Sequence, residues 1–146
     1  RLHGFVSPAG DATGFSSPRI GFDYFVSKGI SLGGAFGYGQ NTGDEKRTLI
    51  TVAPRFGYAL MFGDVVGIWP RLGPTYQVML ADSANNWLLA GTFELPLALV
   101  AAKNVAFMLG PRIDWAFVGQ VDPGPGDAKD FKGREFGFSA GITVFF

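Results

Sequence analysis

The segment Glu135-Phe-Gly-Phe-Ser-Ala-Gly-Ile-Thr-Val-Phe-Phe146 alternates from Glu135 to Val144. Phe136, Phe138, Ala140, Ile142, Val144 and Phe146 share one parity, while Glu135, Gly137, Ser139, Gly141 and Thr143 share the other. A β-strand sends successive side chains to opposite faces, so this segment has one apolar face and one small, polar face. A strand with two such different faces must lie between two different environments.

The same period of two runs along almost the whole chain. Pro18 to Val26 sets Ile20, Phe22, Tyr24 and Val26 against Arg19, Gly21, Asp23 and Phe25. Ile30 to Gly39, Thr48 to Leu60, Val66 to Leu80, Trp87 to Leu99 and Val105 to Phe117 alternate in the same way. With the terminal segment these make seven strands, and Leu2 to Val6 reads as the end of an eighth, cut short at its start. No amphipathic helix is evident. Three connections are tight turns, at Ser27 to Gly29, Met61 to Asp64 and Ala101 to Asn104. The intervening ones, Ser7 to Ser17, Gln40 to Arg47, Ala81 to Asn86 and Gly119 to Gly133, are mostly longer and rich in Gly, Asp, Asn, Ser and Pro. Alternating short and long connections are those of an up-and-down meander with unlike ends.

Composition narrows the environment. Hydrophobic residues make up 47% of the chain and charged residues 16%, which is apolar for one domain of 146 residues. Yet no stretch approaches the ~20 apolar residues of a membrane helix. That leaves a large soluble β core or a transmembrane barrel. The formal net charge is zero, so nucleic acid has no electrostatic handle. The absence of Cys excludes a disulfide framework and thiolate metal sites.

The strand charges define the two faces, and side-chain volume favours the barrel, with a soluble two-sheet sandwich, whose core is larger, as the alternative. Arg19, Asp23, Arg55, Arg71, Glu94, Arg112, Asp114 and Glu135 all share the parity of Gly, Ala, Ser and Thr. An eight-stranded barrel only just holds its own inward side chains, so the large apolar parity cannot be the inside one. The chain is therefore expected to be all-β, a single eight-stranded antiparallel up-and-down transmembrane barrel with its charges in the lumen. Arg55, Arg71, Glu94, Arg112 and Asp114 fall near mid-height on four consecutive strands. They are expected to form a network, with Glu94 between Arg71 and Arg112, that satisfies the inward charges and closes the bore. Five prolines within the strands, Pro54, Pro70, Pro74, Pro96 and Pro111, lack the N–H that a closed ladder uses, and local bulges are expected there.

The terminal strand, with its alternating apolar residues ending in Phe146, resembles the C-terminal assembly signal of bacterial outer-membrane β-barrels. The whole chain resembles in pattern the small eight-stranded barrels of the OmpA/OmpX type. The resemblance implies a Gram-negative outer membrane, both termini periplasmic, and the longer loops outside. It implies that Phe138, Ile142, Val144 and Phe146 are read by the barrel assembly machinery. Outer-membrane lipid and lipopolysaccharide would surround the wall, and other envelope proteins are further partners. Roles in that family run from structural anchoring and surface interaction to transport of small hydrophobic compounds.

Some small barrels of this kind act on lipid A, through a His with Ser and a carboxylate. Here the sole His is His3, with no partner motif beside it, so the expectation is no enzyme and no cofactor. Asp44-Glu45-Lys46-Arg47 and the group Asp122, Asp127 and Asp130 lack the spacing of a calcium loop and read as solvated loop tips. The expected function is a structural or protein-interaction barrel with a shut lumen. A narrow conduit for small solutes, or a subunit of a larger envelope complex, are the alternatives.

Overall fold

The computed structural model describes residues 2–7, 19–41, 47–81, 85–121, 129–130 and 133–145. Only the backbone is described at 2–7, 41, 85, 120–121, 129–130, 133, 135 and 145. The long connections therefore lie largely outside the described residues, as do the His3 and Glu135 side chains and Phe146.

Alternation becomes eight long strands. β1 is Leu2–Ser7, β2 is Arg19–Phe25 and β3 is Ile30–Asn41. β4 joins Arg47–Tyr58 to Leu60–Met61, and β5 joins Val66–Ile68 to Arg71–Ala81. β6 joins Asn85–Glu94 to Leu97–Ala102, β7 is Val105–Val121 and β8 is Gly133–Phe145. Each pairs antiparallel with its neighbour in the chain. β8 pairs with β1 as well, from His3↔Phe145 to Val6↔Ile142, so the ladder returns to its start over those four rungs. The turn after β2 places Gly29 at φ +82° and the turn after β4 places Gly63 at φ +90°, where a side chain would be strained.

The prolines are accommodated by interrupted rungs; the register shifts in β7 lie elsewhere, between Ala116 and Val118 and between Val105 and Ala106. The β4–β5 ladder runs to Val52↔Tyr76 and resumes at Phe56↔Leu72, which puts Pro54 opposite Pro74 at one rung. Neither can donate, so each leaves the other's carbonyl without its ladder partner. Trp69-Pro70 and Leu95-Pro96 are breaks bridged by single bonds. Tyr58 N donates to Pro70 O at 3.0 Å, Trp69 N to Pro96 O at 2.9 Å, and Leu95 N to Pro111 O at 3.0 Å.

The two faces are inverted relative to a water-soluble protein. Among the described residues, the buried set holds Arg19, Asp23, Arg55, Arg71, Glu94 and Arg112 together with Thr51, Thr75, Thr92, Thr143, Gln77 and several alanines. Exposed are Phe22, Phe36, Leu72, Phe93, Phe107, Leu109 and Trp115, each near half-exposed. Single exposed apolar residues are ordinary, but a continuous wall of them is not.

Candidate functional site

The interior is the place where the chain has concentrated its chemistry. Every inward strand position is set by parity, and the register then decides which of them meet. Arg71 and Arg112 both lie directly opposite Glu94, one from β5 and one from β7. Small inward residues such as Ala35, Ala53 and Ala106 leave room for long side chains from other strands to extend across the bore.

A continuous polar chain crosses the lumen from β2 to β7. Asp23 Oδ2 meets Arg71 Nη1 at 3.4 Å, and Arg71 Nη2 meets Glu94 Oε2 at 2.7 Å. The other oxygen of Glu94 lies 3.5 Å from Arg55 Nη2. Arg55 Nη2 donates to Thr75 Oγ1 at 2.8 Å, and Thr75 and Thr92 share a hydrogen bond of 2.7 Å. The Thr92 hydroxyl donates to Asp114 Oδ1, and Asp114 Oδ2 pairs with Arg112 Nε at 2.6 Å. These ion pairs and hydrogen bonds offset part of the cost of burying the charges. Glu94 thus takes its ion pairs from Arg71 and Arg55, whereas Arg112 pairs with Asp114 two residues along its own strand. The expected partner Arg112 stands opposite Glu94, but Arg55 reaches Glu94 from β4, across β5.

Arg55 has a second task. Its Nη1 donates to Pro54 O at 3.0 Å and to Pro74 O at 2.9 Å. These are the two carbonyls that the facing prolines leave without a ladder donor. One guanidinium therefore repairs the interrupted rung and anchors the ion network.

Below this level, toward the short turns, the lumen is apolar. Trp69 is buried with Ala98 and Met108, and Phe25 and Ala59 pack against them. The Trp69 and Phe25 rings are 5.2 Å apart, the indole N–H donates to Ser31 Oγ at 3.0 Å, and the Arg71 guanidinium lies 5.2 Å from the indole centroid. Between the two levels a cavity of about 30 Å³, lined by Arg19, Arg71, Glu94 and Arg112 among others, has room for a water molecule or two.

Of the residues singled out by sequence, Arg19, Asp23, Arg55, Arg71, Glu94, Arg112 and Asp114 face inward, and the side chain of Glu135 lies outside the described residues. Phe138 and Ile142 face outward, Val144 is half-buried, and Phe146 lies outside the described residues. Sequence reasoning missed Trp69, whose parity with Arg71 and Gly73 was the available signal. It also missed Arg134. β8 begins at Gly133, so Arg134 is a strand residue on the apolar parity. Not every strand charge shares the inward face: Arg134 is exposed, with its guanidinium carbon 4.3 Å from the Trp115 ring centroid.

Among the described residues no group of three or more His, Cys, Asp or Glu side chains could hold a metal ion.

Neisserial surface protein A (NspA) superposes with a TM-score of 0.61 at 15% identity, covering 99% of this chain and 94% of that one. The N-terminal β-barrel domain of Pseudomonas aeruginosa OprF gives 0.60 at 12% identity, covering 98% and 93%. A major outer membrane protein from Thermus thermophilus gives 0.63 at 12% identity, covering 99% and 98%. No family model matches the chain, and no curated protein matches it. At these identities the likeness is one of fold, and the fold is that of the small outer-membrane β-barrels.

Proposed function

We propose that the protein is an integral barrel of a bacterial outer membrane, shut across its lumen, with a structural or protein-interaction role and no enzymatic activity. The observation that carries this is the inversion of its faces: guanidiniums and carboxylates are buried while a wall of Phe, Leu, Tyr and Trp is exposed. Water would penalise that wall, and a bilayer would solvate it. The short turns between β2 and β3, β4 and β5, and β6 and β7 gather at one end, which fits the periplasmic side. The outer ends of β1 and β8, at Leu2 and Phe145, lie there too, and on this reading Phe138, Ile142, Val144 and Phe146 are recognised by the assembly machinery. Lipid and lipopolysaccharide are the surroundings of the wall.

Two levels of filling, one ionic and one aromatic, support a shut bore. Refolded protein in a planar bilayer is expected to show no steady conductance, and a stable, size-dependent current would favour the conduit. The membrane reading is tested on the wall itself. Leu109→Arg at the lipid face should cost about 2–4 kcal/mol of folding into bilayers if it sits near mid-plane. An undiminished folding yield, or a parent that stays monodisperse without detergent, would count against a lipid-facing wall.

A further inference from the structure

A charge on the lipid-facing side of a strand needs a reason. Arg134 is the second residue of β8, just below the longest connection, so it sits at the end of the wall opposite the short turns. The same level carries an aromatic band. Trp115 stacks on Phe117 at 6.2 Å, and Tyr76 meets Trp87 at 6.4 Å two strands away. Such rings mark the depth at which hydrocarbon gives way to headgroups.

Register builds the stack. Trp115 lies opposite Arg134 on one side and opposite Gly91 on the other. A Cβ at Gly91 would come within 2.8 Å of the Phe117 ring, so the missing side chain is the space that ring occupies. Phe117, Trp115 and the Arg134 guanidinium thus form three layers across β7 and β8. A guanidinium lying on a ring face keeps its N–H donors at its rim, pointing away from the ring.

We infer that Arg134, held on the Trp115 ring, binds a phosphate group of an outer-leaflet lipid headgroup. The commitment to lipid rather than free phosphate rests on the placement: the donors lie on the outward wall beside the aromatic band, where lipid headgroups supply the anions. Planar donors match phosphate oxygens in pairs. This inference rests on the membrane reading above.

The test uses the full chain refolded in nanodiscs of zwitterionic phospholipid containing a small fraction of lipid A, either bisphosphorylated or dephosphorylated. Native mass spectrometry counts the retained lipid. The parent should retain the phosphorylated form over the other by about fivefold, the value of one basic residue at an anionic surface. Arg134→Gln should abolish the preference, and Arg134→Lys should keep only part of it. Equal retention of the two lipids by the parent, or an unchanged preference in Arg134→Gln, would overturn the inference. Free inorganic phosphate that displaces the lipid at millimolar concentration would also overturn it, by removing the role of the headgroup. Insertion is scored separately, by protease protection. A parent that fails to insert would refute the membrane reading, whereas an inserted parent without preference refutes only the site.

Discussion

The two levels of the lumen are filled by different physics. At mid-height, Asp23, Arg71, Glu94 and Arg55 come from four different strands and are held by ion pairs and hydrogen bonds. Toward the short turns, Trp69, Met108, Ala98 and Phe25 are held by contact, with one hydrogen bond from the indole to Ser31. The upper level depends on charge pairing, because a group removed leaves its buried partner uncompensated. The lower level depends on volume, and volume-conserving changes are tolerated. Arg71 belongs to both, since it pairs with Glu94 and lies against the Trp69 ring.

The sharpest way to break the upper level is Arg55→Leu. It removes the Glu94 pair, the Thr75 bond and the donor to two proline carbonyls. The loss of stability in detergent should reach or exceed the about 3–5 kcal/mol of a broken buried ion pair. A loss under about 1 kcal/mol, read from denaturant unfolding, would show that water in the lumen replaces it. Glu94→Gln comes next, at about 3–5 kcal/mol, because Arg55 and Arg71 are then left facing one another. Adding Arg71→Gln should recover part of that loss, and strictly additive losses would show that the two residues do not interact. At the lower level, Trp69→Leu should cost about 1–3 kcal/mol, through lost packing and the lost indole bond to Ser31. Ser31→Ala is the mildest, at about 1 kcal/mol from the lost indole bond and the lost donor to Asp23. If the lower-level changes prove larger than the upper ones, the contrast between the levels reverses.

Strand number, facing and the inward placement of the charges were legible because a period of two is local and survives without knowledge of the fold. The register of Glu94 against Arg71 and Arg112 was legible too, from their similar height on consecutive strands. The pairing with Arg55 was not. It depends on how far a guanidinium extends across β5, beside Gly73, which has no side chain in the way, and no periodicity encodes that reach. Arg134 was hidden because β8 starts two residues before the alternation becomes regular, at Gly133. Trp69 was hidden beside Pro70, where the strand is broken.

The facing prolines also bear on how the barrel chooses its shear. Pro54 and Pro74 place two donor-less positions on one rung, where a single Arg55 reaches both stranded oxygens. If β5 slid by two residues along β4, parity would be kept and the apolar wall would still face outward. The two defects would then sit on separate rungs, beyond the reach of one guanidinium, and a bilayer offers no water to serve an oxygen left over. Ordinary strand residues cannot distinguish such a slide from the native alignment nearly so well. The pair of prolines thus works as a key cut for one alignment, penalising slides that hydrophobic patterning alone would allow.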